Sequence, residues 1–250
     1  MIHPNEATPR TPAPDAPLYE KVKRRLTDAL TRGEWKPGSA IPAERELATR
    51  FGTSVGTVRR AIDELAAENI LIRQQGRGTF VARHTREREL FYFLHVVPQR
   101  GAKRYPEVEL LSFARGRADR ASAQALGIAP GDAVFRIRNV LRLDGIPVIV
   151  DDVTLPAARF PGLTQAAFRD RPSTIYNLYQ DAFGVSVVRT RERVRATLAD
   201  AASARLLRLE AGAPLLSIRR VALTYEDAPV EYRVSLVNTA RHEYWAEIGA

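Results

Sequence analysis

The chain has 250 residues, 45% of them hydrophobic, which is enough for one or two domains with sizeable cores. Lys and Arg outnumber Asp and Glu by 38 to 29, and the net charge of +9 suits a polyanionic partner. Cysteine is absent, which excludes disulfides, iron–sulfur clusters and thiol catalysis, and no apolar run approaches the ~20 residues of a membrane span.

Residues 1–17 carry Pro4, Pro9, Pro12, Pro14 and Pro17 with few large apolar side chains, and read as a disordered tail. No basic-then-apolar signal segment opens the sequence, so a cytoplasmic protein is expected. Leu18–Thr31 reads as an amphipathic helix with Tyr19, Val22, Leu26 and Leu30 on one face, ended by Gly33. Ala43–Phe51 is a second, short helix with Leu47, Ala48 and Phe51 together. Gly52–Thr53 is a sharp turn. Ser54 caps a third helix, in which Val58, Ile62, Leu65 and Ala66 recur at helical spacing. Ile70–Ile72 and Thr79–Val81 are short β-type runs around the glycine-rich turn Gln74-Gln75-Gly76-Arg77-Gly78. Helix, turn, helix and hairpin wing together suit duplex DNA: the major groove admits one helix, and a wing can reach phosphates or the neighbouring groove. Residues 18–82 hold 12 basic and 8 acidic residues, and 83–250 hold 25 and 19. The charge is therefore spread over the chain, and it is the motif that points to DNA.

This stretch resembles the winged helix-turn-helix of the GntR superfamily of bacterial transcription regulators. The resemblance rests on Pro37-Gly38, Pro42-x-Glu44-Arg45-Glu46-Leu47-Ala48, Thr57-Val58-Arg59-x-Ala61-x-x-x-Leu65 and Gly76-x-Gly78-Thr79-Phe80-Val81, and covers 18–82 as a DNA-binding domain. It implies that Arg45, Ser54, Thr57, Arg59 and the wing residues Gln75, Gly76 and Arg77 face double-stranded operator DNA. Arg45 and Arg59 occupy the family's matching arginine positions. Val55 and Gly56 depart from the basic or polar residues often found there, leaving room for thymine methyl contact or close backbone approach. A structural role for Arg59, pairing with Asp63 along the helix, is the competing reading.

Residues 83–90, RHTREREL, are charged and read as a linker. Residues 91–250 mix short helices with many strands and contain a repeat. DRASAQALGIAPGDAVFRIRNV (119–140) aligns with DAASARLLRLEAGAPLLSIRRV (200–221) at an offset of 81, and Pro147-Val148 matches Pro229-Val230 after one residue of slippage. Each unit reads as helix, glycine turn, strand, turn, strand. Two such units form an α+β domain with one antiparallel sheet, flanking helices and a crevice between the halves.

The second half resembles the UTRA effector domain of the HutC-like branch of that superfamily. The matching features are Leu126-Gly127, Asp144-Gly145-Ile146-Pro147, Leu155-Pro156, Phe160-Pro161-Gly162-Leu163, Tyr176 with Phe183-Gly184, and Pro229-Val230-Glu231. The resemblance implies a chorismate-lyase-like fold and a small-molecule effector. A homodimer is expected because one recognition helix reads only a few base pairs and a two-fold dimer reads palindromic half-sites, with 91–250 as the dimerisation surface; the leading reading is a repressor released by a metabolite. Enzymatic lyase activity and constitutive DNA binding are the other readings; neither a glycine-rich phosphate loop nor a Ser/His/Asp arrangement supports the enzyme.

Strand alternation marks polar interruptions of apolar faces. These are Asn139 among Phe135, Ile137, Leu141 and Leu143, and Asp151 among Ile149, Val153 and Leu155. Glu192 interrupts Val188, Val194 and Ala196, and Arg220 interrupts Leu216, Ile218 and Ala222. Buried polar groups need partners, so these four satisfy one another as an Arg–carboxylate network, or the alternation is misassigned, or they line an effector pocket with Glu231 as a fifth member. Glu231, Arg233 and Ser235 share a face that solvent exposure explains equally well. Family members that bind phosphorylated sugars carry an Arg-x-Arg pair where this chain has Asn139 and Leu141. That argues against a phosphosugar and for an effector with donor groups: an amine, imidazole or polyol. His3, His84, His95 and His242 lack metal-ligand spacing, and no metal or cofactor is expected. The Arg189-x-Arg191-x-Arg193-x-Arg195 ladder reads as a solvated strand face, and Trp35 and Trp245 as packing residues.

Overall fold

Leu18–Thr31 (α1) buries Val22, Leu26, Ala29 and Leu30, the stripe expected of its helical period. The structure, a computed structural model, describes residues 16–246 and divides at Ala82/Arg83 into two compact units. Residues 1–15 of the expected tail lie outside the described residues. Among the described residues no helix is long and apolar enough to cross a membrane.

In the first unit α1 packs against Val55–Ala67 (α3), whose Val58, Ala61, Ile62 and Leu65 are at most 1% exposed. Glu44–Phe51 (α2) contributes Leu47 and Ala48 and turns through Gly52 at φ 63°. The Ser54 hydroxyl accepts from the Thr57 amide at 3.1 Å and starts α3, as capping chemistry requires. Leu71–Gln74 (β1) and Gly78–Val81 (β2) pair antiparallel as the wing. Trp35 is buried, and Ala40 bridges to Phe80, which ties the segment before α2 to the wing.

The second unit begins at the residues expected to be a linker. Thr85 caps a helix, Arg86–Tyr92 (α4), and His84 and Glu89 are buried. The stretch 83–90 is thus part of the fold, because Asn177 donates to the His84 carbonyl and the His84 amide donates to Gln180. Val96–Pro98 (β3) then pairs with His242–Tyr244 (β10). Trp245, expected to pack, is exposed.

Each repeat is strand, helix, strand, strand, one strand longer than the sequence alignment suggested. The first is Glu107–Arg117 (β4), Arg120–Leu126 (α5), Ala133–Leu143 (β5) and Ile146–Pro156 (β6). The second is Arg189–Leu198 (β7), Ala201–Leu207 (α8), Pro214–Leu223 (β8) and Pro229–Val237 (β9). They form one six-stranded antiparallel sheet in the order β4-β5-β6-β9-β8-β7, so the halves meet at β6 and β9. The repeated residues have local causes. Asp119 and Asp200 accept from the Ser122 and Ser203 amides at 2.8 and 2.7 Å and cap α5 and α8. Gly131 and Gly212 sit at φ 90° and 83°, which favours glycine. The two helices cover one face, α5 packing on β9 and α8 on β6, each on the other repeat. The opposite face is covered by Ile175–Phe183 (α7), with Gln165–Arg169 (α6) beside it. Tyr176, Tyr179, Phe160 and Phe168 pack there against Phe135, Val153 and Leu155.

Candidate functional site

In the first unit the expected DNA-facing residues lie on α2, α3 and the wing. Arg45, Ser54, Arg59, Gln75, Gly76 and Arg77 are exposed, and Thr57 is half-buried. Arg59 does not pair with Asp63. Its Nε donates to Glu44 at 2.9 Å, while Asp63 takes Arg73 from β1 at 2.7 Å, and Arg73 also reaches Glu44 at 3.0 Å. Two arginines and two acids thus brace the start of α2, α3 and the wing strand against one another. Gly56 has no internal reason to be glycine: a Cβ there would meet only Ser54 Oγ, at 3.8 Å, and its φ is ordinary. The Ser54 hydroxyl is 2.8 Å from that of Thr57, so both are held at the head of α3.

In the second unit the sheet pairing aligns the predicted polar positions on one inner face. Asn139 is opposite Asp151, and Asp151 opposite Ser235. In the next row Val153, Arg233, Arg220 and Glu192 stand opposite one another in turn. Because directly paired residues project to the same side, these residues meet under α4 and α7. Glu231, Asp151 and Asn139 are 0%, 2% and 3% exposed.

Arg233 organises the centre. Its Nε and Nη2 donate to the two Glu231 oxygens at 2.9 and 3.0 Å, and its Nη1 to Asp151 at 3.1 Å. Tyr176 and Tyr179 of α7 add hydroxyl donors to Glu231 at 3.3 and 2.7 Å, and Ser235 donates to Asp151. Asp151 and Arg233 are also equivalent in the repeat, at the slipped offset, so this ion pair spans the boundary between the halves. Burial works against the Arg233 cation, but Glu231 and Asp151 raise its pKa well above the usual guanidinium range. The face read as equally compatible with solvent exposure is therefore interior.

Glu192 holds a second cluster. Arg220 and the Tyr244 hydroxyl donate to it, and His95 Nδ1 lies 3.3 Å away. Burial pushes its carboxyl up, but the His95 hydrogen bond, the Arg220 charge and Tyr244 outweigh that and lower it to about 2. Arg220 also donates to the Phe93 carbonyl at the end of α4.

Beside these clusters lies a cavity of about 40 Å³, lined by Asn139, Asp151, Arg220 and Arg233 from the sheet and by Glu89, Tyr105 and Arg171 from elements over it. Of the five predicted pocket residues, Asn139, Asp151 and Arg220 reach the cavity. Glu192 and Glu231 do not; they stand behind it and pin Arg220 and Arg233, because guanidinium partners fill the space in front of their carboxylates. Network and pocket coexist on one face of the sheet.

Three residues that line the cavity each carry a buried polar atom with no hydrogen-bond partner among the described residues: Glu89 Oε2, Asn139 Oδ1 and Arg171 Nε. Burial raises the Glu89 carboxyl above its usual range, against the opposing effects of the Thr174 hydroxyl and Arg233. Sequence reasoning missed Arg233, Glu89, Tyr105 and Arg171 as site residues. The alignment of Asp151 with Arg233 at the slipped repeat offset is the signal that could have marked that arginine. Arg171 and Tyr105 sit outside regular elements and left no periodic signal.

Comparison with known proteins supports both halves. The profile described as bacterial regulatory proteins, gntR family, matches residues 18–81, and that of the UTRA domain matches residues 101–243. The "Probable fructoselysine utilization operon transcriptional repressor" of Escherichia coli (strain K12) is 32% identical, over 85% of this chain and 87% of the relative. The histidine utilization repressor of Klebsiella aerogenes is 35% identical, over 82% and 84%. The crystal structure of PhnF from Mycobacterium smegmatis matches with a TM-score of 0.52 at 28% identity, over 92% and 99%.

Proposed function

Because the chain belongs to the GntR family of transcriptional regulators and carries a UTRA domain, we propose that it represses a catabolic operon and is released by a small polar metabolite bound in the cavity of the second unit. The observation that carries this reading is that three residues lining the cavity carry buried polar atoms without a hydrogen-bond partner among the described residues. Buried polar groups are nearly always hydrogen-bonded, so Arg171 calls for an anionic or carbonyl oxygen, and Asn139 and Glu89 for complementary N–H or hydroxyl groups. A compound with both an amine or imidazole and a carboxylate meets all three. The relatives named for histidine and fructoselysine utilization support that class. A cavity of about 40 Å³ holds a few waters, whereas metabolite pockets run to roughly 300 Å³ or more. Effector entry must therefore move a wall, and differential binding to the opened state supplies the switch.

A thermal-shift screen of amino-acid derivatives tests the effector. At 100 times Kd a ligand adds about 2.7 kcal/mol, or roughly 5–10 °C. Asn139→Leu and Arg171→Met should each abolish that shift. Asn139→Leu should do so without lowering the melting temperature of the free protein, since it removes an unsatisfied amide. A shift that survives both variants overturns the pocket assignment.

The same regulator would place Arg45, Ser54, Thr57, Arg59 and the wing residues against operator DNA, in a cytoplasmic homodimer whose two α3 helices read successive half-sites. Gly56→Ala separates structure from recognition. Alanine favours the helix and meets no clash, so stability should hold or rise by up to about 1 kcal/mol. Affinity for a duplex selected from a random library should fall, because the added methyl blocks close approach. Arg59→Ala should cost roughly 1–3 kcal/mol of base discrimination. If both variants bind the selected duplex as wild type does, α3 is not the reading helix.

A further inference from the structure

The outer face of the second repeat carries arginines that the first repeat neutralises. In the first repeat Arg138 stands opposite Asp152 and donates to both its oxygens at 2.7 and 2.8 Å, with Ser112 on its other side. The equivalent of Arg138 is Arg219. There Asp152 is replaced by Val234, and Ser112 by Arg193. Ser–Arg–Asp in one half has become Arg–Arg–Val in the other.

Along β7, Arg193 and Arg195 project to this outer side, away from Glu192, and both are exposed, as is Arg219. Among the described residues no carboxylate pairs with these three. Arg189 and Arg191, further along the strand, share the single carboxylate of Asp227. Like charges directly opposite on paired strands destabilise a sheet, so folding alone does not account for Arg193 facing Arg219. A partner with regularly spaced negative charge does. Alternate residues on a strand are about 6.8 Å apart, of the order of the separation between neighbouring phosphates on one DNA strand. Guanidinium forks match phosphate oxygens.

We propose that the outer face of β7 and β8, through Arg193, Arg195 and Arg219 with Arg191 at its rim, binds the phosphate backbone of duplex DNA. This is a sequence-independent contact separate from the reading helix and wing, and it uses no residue of the first unit. Duplex DNA is favoured over an acidic protein because the chain is a DNA-binding regulator, so this polyanion is tethered to the same chain when it is bound.

The test uses the full chain and a mixed-sequence duplex of about 40 base pairs, with affinity measured across a salt series. Replacing all three residues with Gln should reduce the slope of log affinity against log salt by about 2–3, near 0.9 for each phosphate no longer neutralised. Replacing all three with Lys should keep the slope. An unchanged slope in the Gln variant overturns the proposal. So does an unchanged slope with a changed mass in light scattering, which would assign the face to a second copy. A reduced slope in the Lys variant as well would show a structural role and also overturn it. Gly56→Ala reports on the reading helix separately, so failure of either assignment is visible alone.

Discussion

Arg233→Met is expected to destabilise the second unit by about 3–5 kcal/mol, far more than any surface substitution. Methionine keeps most of the volume but leaves Asp151 and Glu231, 2% and 0% exposed, as neighbouring carboxylates without their shared cation. The Tyr176, Tyr179 and Ser235 hydroxyls remain and cannot neutralise two charges. The cost comes from stranding the partners rather than from the strength of the pair. Adding Asp151→Leu and Glu231→Leu to Arg233→Met should therefore recover much of the loss. Urea unfolding measures both. Arg219→Met, an exposed arginine on the outer face, serves as the control and should change stability by about 0.5 kcal/mol or less. A loss below about 1 kcal/mol for Arg233→Met would mean that the cluster is hydrated.

Stability should also fall with acidification in a window set by His84. Its imidazole packs on Phe93 and Tyr176, with ring centroids 5.8 and 5.7 Å away. Burial first, and the Arg88 charge second, lower its pKa from 6.5 to about 3. The folded state thus favours neutral His84. The stability this contributes is fully present above pH 6.5 and is lost as pH falls from 6.5 towards 3, because the unfolded chain takes up the proton first. The slope approaches about 1.4 kcal/mol per pH unit, or about 2 kcal/mol between pH 6.5 and 5. Glu89 acts with the opposite sign. Its raised pKa gives stability that is complete below the usual glutamate range and lost as pH rises, so the wild-type curve alone mixes the two. Subtracting the curve of His84→Phe isolates the histidine. The variant loses the hydrogen bond to the Val187 backbone at every pH, a constant offset, but lacks the titration. Parallel curves from about pH 7.5 to 4.5 would show that His84 is protonated in the folded state.

The α1 helix, the Ser54 cap, the α3 stripe and the wing turn could be read from residues alone because each depends on neighbours within a few positions: helical period, a hydroxyl three residues from an amide, a glycine in a tight turn. The repeat was legible for the same reason, since Asp119 with Ser122 and Asp200 with Ser203 are local caps written twice. Strand alternation likewise told which side chains share a face within each strand, and singled out Asn139, Asp151, Glu192 and Arg220 as polar interruptions before any fold was known. It could not tell which face is covered. The Glu231–Arg233–Ser235 face is interior only because α7 and α4, from far earlier in the chain, lie across it. The charged stretch 83–90 is part of the cavity wall only because Asn177 and Gln180 hold it there. Whether a carboxylate meets a ligand or an arginine depends on such distant pairings. Glu192 and Glu231 therefore proved to be braces behind the cavity, while Glu89, Tyr105 and Arg171, from segments without a periodic pattern, form its open wall.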